Sequence, residues 1–147
     1  MIEKFDVHIS DEEIDSLHSK IHLTRWPDEI NDEKWSHGTS MSFLKKLSDH
    51  WLNEFNWRYH EKQINEAGSY KFKTQSGLKL HFLHSKSNNK KAIPLMMTHG
   101  WPGSVQEFLK MIPELHKKSN VPIDIICPAL PGFGFSDKPT ETGMDSQ

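Results

Sequence analysis

The chain has 147 residues, a formal net charge of −2 and charged residues that alternate in sign along its length. That size suits roughly one domain, and the charge balance argues against binding to nucleic acid or to an anionic membrane. With 35% apolar residues the core is lean, and a single cysteine, Cys127, excludes internal disulfides and thiolate metal clusters.

Residues 1–6 are charged and lack the apolar stretch of a signal peptide, and no apolar run is long enough to span a bilayer. A soluble intracellular protein is the expectation. Phe5–Ile9 is a short alternating segment. Ser10 and Glu13 then form a capping box ahead of Ile14, Leu17 and Ile21, which recur at helical spacing. This helix should stop near Arg25-Trp26-Pro27, because the residue before a proline avoids helical backbone. After a loop through Trp35–Thr39, the stripe Phe43, Leu44, Leu47, Trp51, Phe55 predicts a second helix with a core-packing face. A further helix runs from Asn56 to Glu66 and ends at Ala67-Gly68.

The period then changes. Tyr70–Thr74 and Leu78–Leu83 alternate apolar and polar residues around Gln75-Ser76-Gly77, which reads as a β-hairpin. A polar loop over Lys86–Lys91 leads to the apolar strand Ile93–Thr98. Next come the rigid turn His99-Gly100-Trp101-Pro102-Gly103-Ser104 and a helix from about Ser104 to Leu115, opened by Ser104 and Glu107. Pro113 should end or bend that helix. Ile123–Cys127 is another strand, followed by the turn-rich Pro131–Ser136. The predicted layout is an all-helical N-terminal segment, then a hairpin and a βαβ unit of an open sheet.

The His99–Ser104 turn is the most informative stretch. It leaves backbone N–H groups near Trp101 at a strand end beside a helix start, where they can hold a negative oxygen. Gly100 and Gly103 permit close approach of the main chain, and Pro102 fixes the peptide behind Trp101. The alternative is a tight strand-to-helix turn with a packed tryptophan. Other clusters are weaker. His18 and His22 stand i,i+4 on the first helix, but spacing fixes no third metal ligand. His81 and His84 fall on opposite faces of one strand, and Gly132-Phe133-Gly134 lacks the third glycine of a dinucleotide loop. His99 could pass for a general base but reads better as a lock on the turn. Arg58 and Glu61 read as an ion pair.

Taken together, several motifs make the chain similar to the microsomal-type branch of the epoxide hydrolase family. They are Arg25-Trp26-Pro27-Asp28, Trp51, Asn56-Trp57-Arg58 with Glu61 and Asn65, Gly77-Leu78 with His81-Phe82, His99–Ser104 with Glu107-Phe108, and Pro131–Ser136. Asn56 departs from the pattern, where an Asp is expected. The resemblance covers nearly the whole chain. It implies an α/β fold: a truncated α/β-hydrolase sheet of the first four strands, ordered 1-2-4-3, with one crossover helix. An all-helical arm over residues 1–67 precedes the sheet-bearing part, residues 68–147.

The resemblance also implies a reaction. A nucleophilic Asp opens an epoxide, cap tyrosines protonate the oxygen, and a His-activated water hydrolyses the resulting ester to a diol. Trp101 would be the catalytic contribution of this chain, lending its backbone N–H to the oxyanion hole. A cis Trp101–Pro102 bond is expected, with His99, Gly100, Pro102 and Gly103 as the supporting loop and Pro131–Ser136 beneath it. The Trp101 indole would line a pocket for a small apolar epoxide. No cofactor, metal, nucleic acid or membrane is implied.

The nucleophile itself is missing from the pattern. Such folds carry it on a small-x-nucleophile-x-small elbow after the fifth strand. Ser104 is better read as a cap, Ser136 lacks the second small residue, and Asp145 follows no strand and is closed by Gln147. The expectation is therefore a chain truncated before the nucleophile, His and cap tyrosines, and inactive by itself. Without a fifth strand, Ile93–Thr98 becomes a bare sheet edge and a route to self-association. A fragment of another Asp-nucleophile hydrolase, such as a haloalkane dehalogenase, and a non-catalytic interaction domain are the alternatives.

Overall fold

The computed structural model describes residues 1–30 and 35–144. It divides into two compact units, one formed by residues 8–57 and the other by residues 1–7 with the chain from Arg58 onward.

In the smaller unit, α1 spans Asp11–His22 and α2 spans Met41–Asn53. The Ser10–Glu13 capping box forms as predicted, with Ser10 Oγ accepting from the Glu13 N–H at 3.2 Å. Ile14, Leu17 and Ile21 are half-buried. The α2 stripe behaves differently from the expectation of core packing, since Phe43, Leu47 and Trp51 are each more than two-fifths exposed. Leu44 and Phe55 are half-buried, and the exposed Phe43 ring lies 5.0 Å from that of Trp35. Two short helices offer too little surface to cover such a stripe.

The larger unit is a five-stranded sheet in the order β1-β2-β3-β5-β4. Its strands are β1 (Ile2–Lys4), β2 (Ser69–Lys73), β3 (Lys79–Ser85), β4 (Ile93–Met96) and β5 (Ile123–Pro128). The hairpin, the antiparallel β3–β5 pair and the parallel β4–β5 pair reproduce the predicted 1-2-4-3 order. The addition is β1, which corrects both the four-strand count and the all-helical reading of the first residues. Three residues are too few to show a period. This strand forms by pairing Ile2, Glu3 and Lys4 with Phe72, Lys71 and Tyr70. Asn65, on α3 (Trp57–Glu66), holds the segment beyond it by accepting from the Val7 N–H at 2.7 Å and donating to the Val7 carbonyl at 3.0 Å.

The predicted helix over 104–115 is also revised. A single 3-10 turn covers Val105–Phe108, and α4 runs from Met111 to Lys118. Pro113 lies in the first turn of α4, where its missing N–H is owed no partner; inside one continuous helix it would have clashed with the preceding turn. The core alternates along β5, where Ile123, Ile125 and Cys127 are buried. They pack with Leu83 of β3, Val105, Phe108, Ile112, Ile64 of α3 and Val7.

Gly68 joins α3 to β2 with φ +87°, and a Cβ there would stand 2.5 Å from the His84 carbonyl oxygen. That carbonyl belongs to rigid strand backbone, so it cannot move aside. Gly68→Ala should cost about 2–3 kcal/mol in a urea melt, combining left-handed strain with the clash. Gly77, at φ +94° with open space around it, is the control, and its alanine variant should cost about 1 kcal/mol. Equal losses at the two positions would show that the close approach at Gly68 carries no weight.

Candidate functional site

β4 runs into the His99–Ser104 turn, and β5 runs into the Leu130–Asp137 turn beside it. Ser136 staples the second turn to the sheet: its Oγ accepts from the His81 N–H at 2.9 Å and donates to the Ala129 carbonyl at 2.8 Å. Asp137 reinforces the junction, accepting from the Lys79 N–H at 2.8 Å. On this base stands His99, only 3% exposed. Its Nε2 accepts from the Leu130 N–H at 3.1 Å, and the Phe133 ring meets it edge-on at 5.2 Å.

Within the first turn, the Trp101–Pro102 peptide bond is cis, as the family resemblance implies. Gly103 donates its N–H to the Gly100 carbonyl at 2.7 Å, closing a four-residue turn with the cis-proline at its third position. A Cβ on Gly103 would collide with the Glu107 carboxylate, which accepts from the Ser104 N–H at 3.1 Å. The Trp101 N–H is left over: among the described residues no acceptor is bonded to it. A rigidly held, unspent N–H can donate to an oxygen that is gaining negative charge. The accompanying expectation of support from a helix start is not met, because one 3-10 turn has little dipole to offer.

Trp101 is 84% exposed. The turn brings His99, Gly100, Trp101, Pro102 and Gly103 together as one unit. Sequence reasoning did not single out Leu130 or Phe133 as the groups that hold His99. Neither sits in a pattern that points to it; only the neighbouring Pro131–Ser136 motif gave a hint.

The remaining candidates belong to other elements. His18 and His22 lie on α1, and the described residues contain no group of three potential metal ligands. Arg58 Nη1 meets Glu61 Oε2 at 2.7 Å, and Glu61 is buried, so this ion pair is more structural than a surface one. Asp145 falls outside the described residues. His81 and His84 do point to opposite faces. His81 is fully buried, bonded through Nε2 to Ser69 Oγ at 2.9 Å, with Nδ1 unpartnered. Burial, aided by the Lys71 charge, pulls it down to about 4. His84 is lowered too, by burial first and then by Lys86, against the opposing pull of Asp124. Burial pushes the Cys127 thiol up to about 11, which leaves it un-ionised at neutral pH. No helix among the described residues is long and apolar enough to cross a membrane.

Comparison with known proteins gives a consistent picture. The family model described as epoxide hydrolase N terminus matches residues 2–108. Epoxide hydrolase 1 of Oryctolagus cuniculus is 39% identical over 99% of this chain and 34% of its own length. Among solved structures, the juvenile hormone epoxide hydrolase of Bombyx mori superposes with a TM-score of 0.87 at 30% identity, covering 98% of this chain and 40% of that one. The epoxide hydrolase of Aspergillus niger gives 0.85 at 28% identity, over 97% and 38%. The chain thus spans about a third of the length of the curated relatives it matches.

Proposed function

The chain belongs to the epoxide hydrolase family, and we propose that it supplies the first part of an enzyme that converts apolar epoxides to vicinal diols. The unspent Trp101 N–H on the cis turn carries this reading. In the proposed reaction, an Asp carboxylate attacks one epoxide carbon, the C–O bond breaks, and tyrosines protonate the departing oxygen. Water activated by a His–acid pair then adds to the ester carbonyl. The negative oxygen of that tetrahedral intermediate accepts a hydrogen bond from the Trp101 N–H, and its collapse releases diol and carboxylate. The Asp, His and tyrosines belong to polypeptide beyond this sequence, and the exposed indole of Trp101 would form one wall of the substrate pocket once that polypeptide is in place.

Complementation tests the reading. The 147-residue chain should be co-expressed with the part of the Aspergillus niger enzyme that follows its matched region, and styrene oxide hydrolysis measured. Diol formation is expected from the pair and none above background from the chain alone. Turnover by the purified chain alone would overturn the division of labour.

The same reading extends to the sheet edge. Among the described residues β4 has one neighbour, β5, and carries exposed Ile93 and Met96. Pro94, with no N–H, blunts the edge in part. The isolated chain should therefore self-associate through β4, with sedimentation showing species heavier than one chain that dissociate when the complementing segment is added. A monomer with a cooperative melt would count against it.

A further inference from the structure

We propose that His99 is a positioning residue that aims the Trp101 N–H by holding the Gly100–Trp101 peptide plane in one orientation; its catalytic meaning rests on the function proposed above. The first step is the protonation pattern of the ring. Leu130 N–H can only donate, so His99 Nε2, 3.1 Å away, must carry a lone pair. The neutral ring then has its proton on Nδ1, which lies 3.1 Å from the Gly100 carbonyl oxygen and donates to it.

The second step is the plane itself. The Gly100 carbonyl receives two hydrogen bonds, one from His99 Nδ1 and one from the Gly103 N–H at 2.7 Å. The only cis peptide bond among the described residues is Trp101–Pro102, so Gly100–Trp101 is trans, and its C=O and N–H point in opposite directions. Fixing the carbonyl on one side therefore fixes the Trp101 N–H on the other. Gly100 has no Cβ to resist rotation about this plane, and nothing lies within 4 Å of where one would be. The two carbonyl bonds supply the restraint that the residue itself lacks. They also polarise the peptide and make its N–H a stronger donor. His99 thereby couples two turns: the one after β5, through Leu130 and Phe133, and the one after β4, through Gly100.

Two variants separate these links. Asn places a donor near the Nδ1 position and nothing near Nε2; Gln places an acceptor near Nε2 and nothing near Nδ1. Long-range nitrogen–proton NMR of the labelled 147-residue chain, bound to the unlabelled complementing segment, should show the Nδ1–H tautomer at His99. In H99N the Trp101 amide resonance should stay close to its original position while Leu130 exchange accelerates about tenfold, the scale of one lost hydrogen bond. In H99Q the pattern should reverse, with Leu130 still protected and the Trp101 resonance displaced. An Nε2–H tautomer, or a Trp101 resonance indifferent to H99Q, would overturn the proposal. In the complemented enzyme, H99Q should lower kcat and KM together with kcat/KM nearly unchanged, and H99N should restore most of kcat. If the NMR pattern holds but kcat is unmoved in H99Q, the positioning stands and the oxyanion reading of Trp101 fails.

Discussion

Replacing the Gly100–Trp101 amide with an ester, which deletes the Trp101 N–H, should lower kcat of the complemented enzyme about 10²–10³-fold. That corresponds to about 3–4 kcal/mol of lost stabilisation for a negative oxygen. KM should fall together with kcat, leaving kcat/KM nearly constant, because attachment of substrate is unchanged while the covalent ester is released more slowly. The turn is well suited to this measurement. Its closure uses the Gly100 carbonyl and the Gly103 N–H, not the Trp101 N–H, so the fold does not depend on the deleted atom. The ester is also a weaker acceptor at the Gly100 carbonyl. A Trp101→Phe variant, which keeps the amide and trims the exposed indole, should retain most of kcat and separates backbone from side-chain effects.

Acid should destabilise this chain over a window set by His81. The folded state holds the ring neutral in a box of Phe5, Phe135 and Ser69, with ring centroids at 5.7 Å from Phe5 and 5.5 Å from Phe135. Burial and then Lys71 lower its value from 6.5 to about 4. The unfolded chain takes up a proton below pH 6.5 while the folded chain does not. Stability from this group is thus complete above about pH 6.5, falls as pH drops, and levels off near pH 4. The total is about 3 kcal/mol. His84 contributes in the same direction. Asp124, lowered chiefly by its hydrogen bonds from Ser87, acts below its ordinary value of 3.8 and so lies outside the window. Urea melts from pH 7.5 to 4 should show a smaller loss for His81→Gln, which keeps a polar group toward Ser69 without a titrating ring. Parallel curves for the two proteins would remove His81 as the cause.

How much of this was legible before the structure depends on how far each signal reaches along the chain. The capping box at Ser10, the hairpin about Gly77 and the alternation of Ile123–Cys127 are local patterns, and each forms where the residues place it. The turn at Trp101 was legible for the same reason, since glycine and proline restrict the backbone wherever they stand. What could not be read were the features that exist only through a distant partner. β1 is held by β2 some seventy positions later in the chain, at Ile2–Phe72. Leu130 finds His99 across the sheet from another strand end. Pro113 marks a helix start and not a helix end, because proline disrupts the turn before it but is tolerated in the first turn of a helix, and local sequence does not say which of the two applies. The α2 stripe was legible as a stripe but its burial was not, since periodicity records an apolar face and not what covers it.

The central claim is that the Trp101 N–H serves the hydrolysis of an ester and not the opening of the epoxide. Rapid-quench mass spectrometry of the complemented enzyme, with and without the Gly100–Trp101 ester, tests this most directly. The expected result is an unchanged rate of covalent attachment of substrate and a slow second phase, so that the alkylated protein accumulates in the ester variant. If attachment and release slow together, or if no adduct accumulates while kcat is unchanged, the Trp101 N–H is not the oxyanion donor.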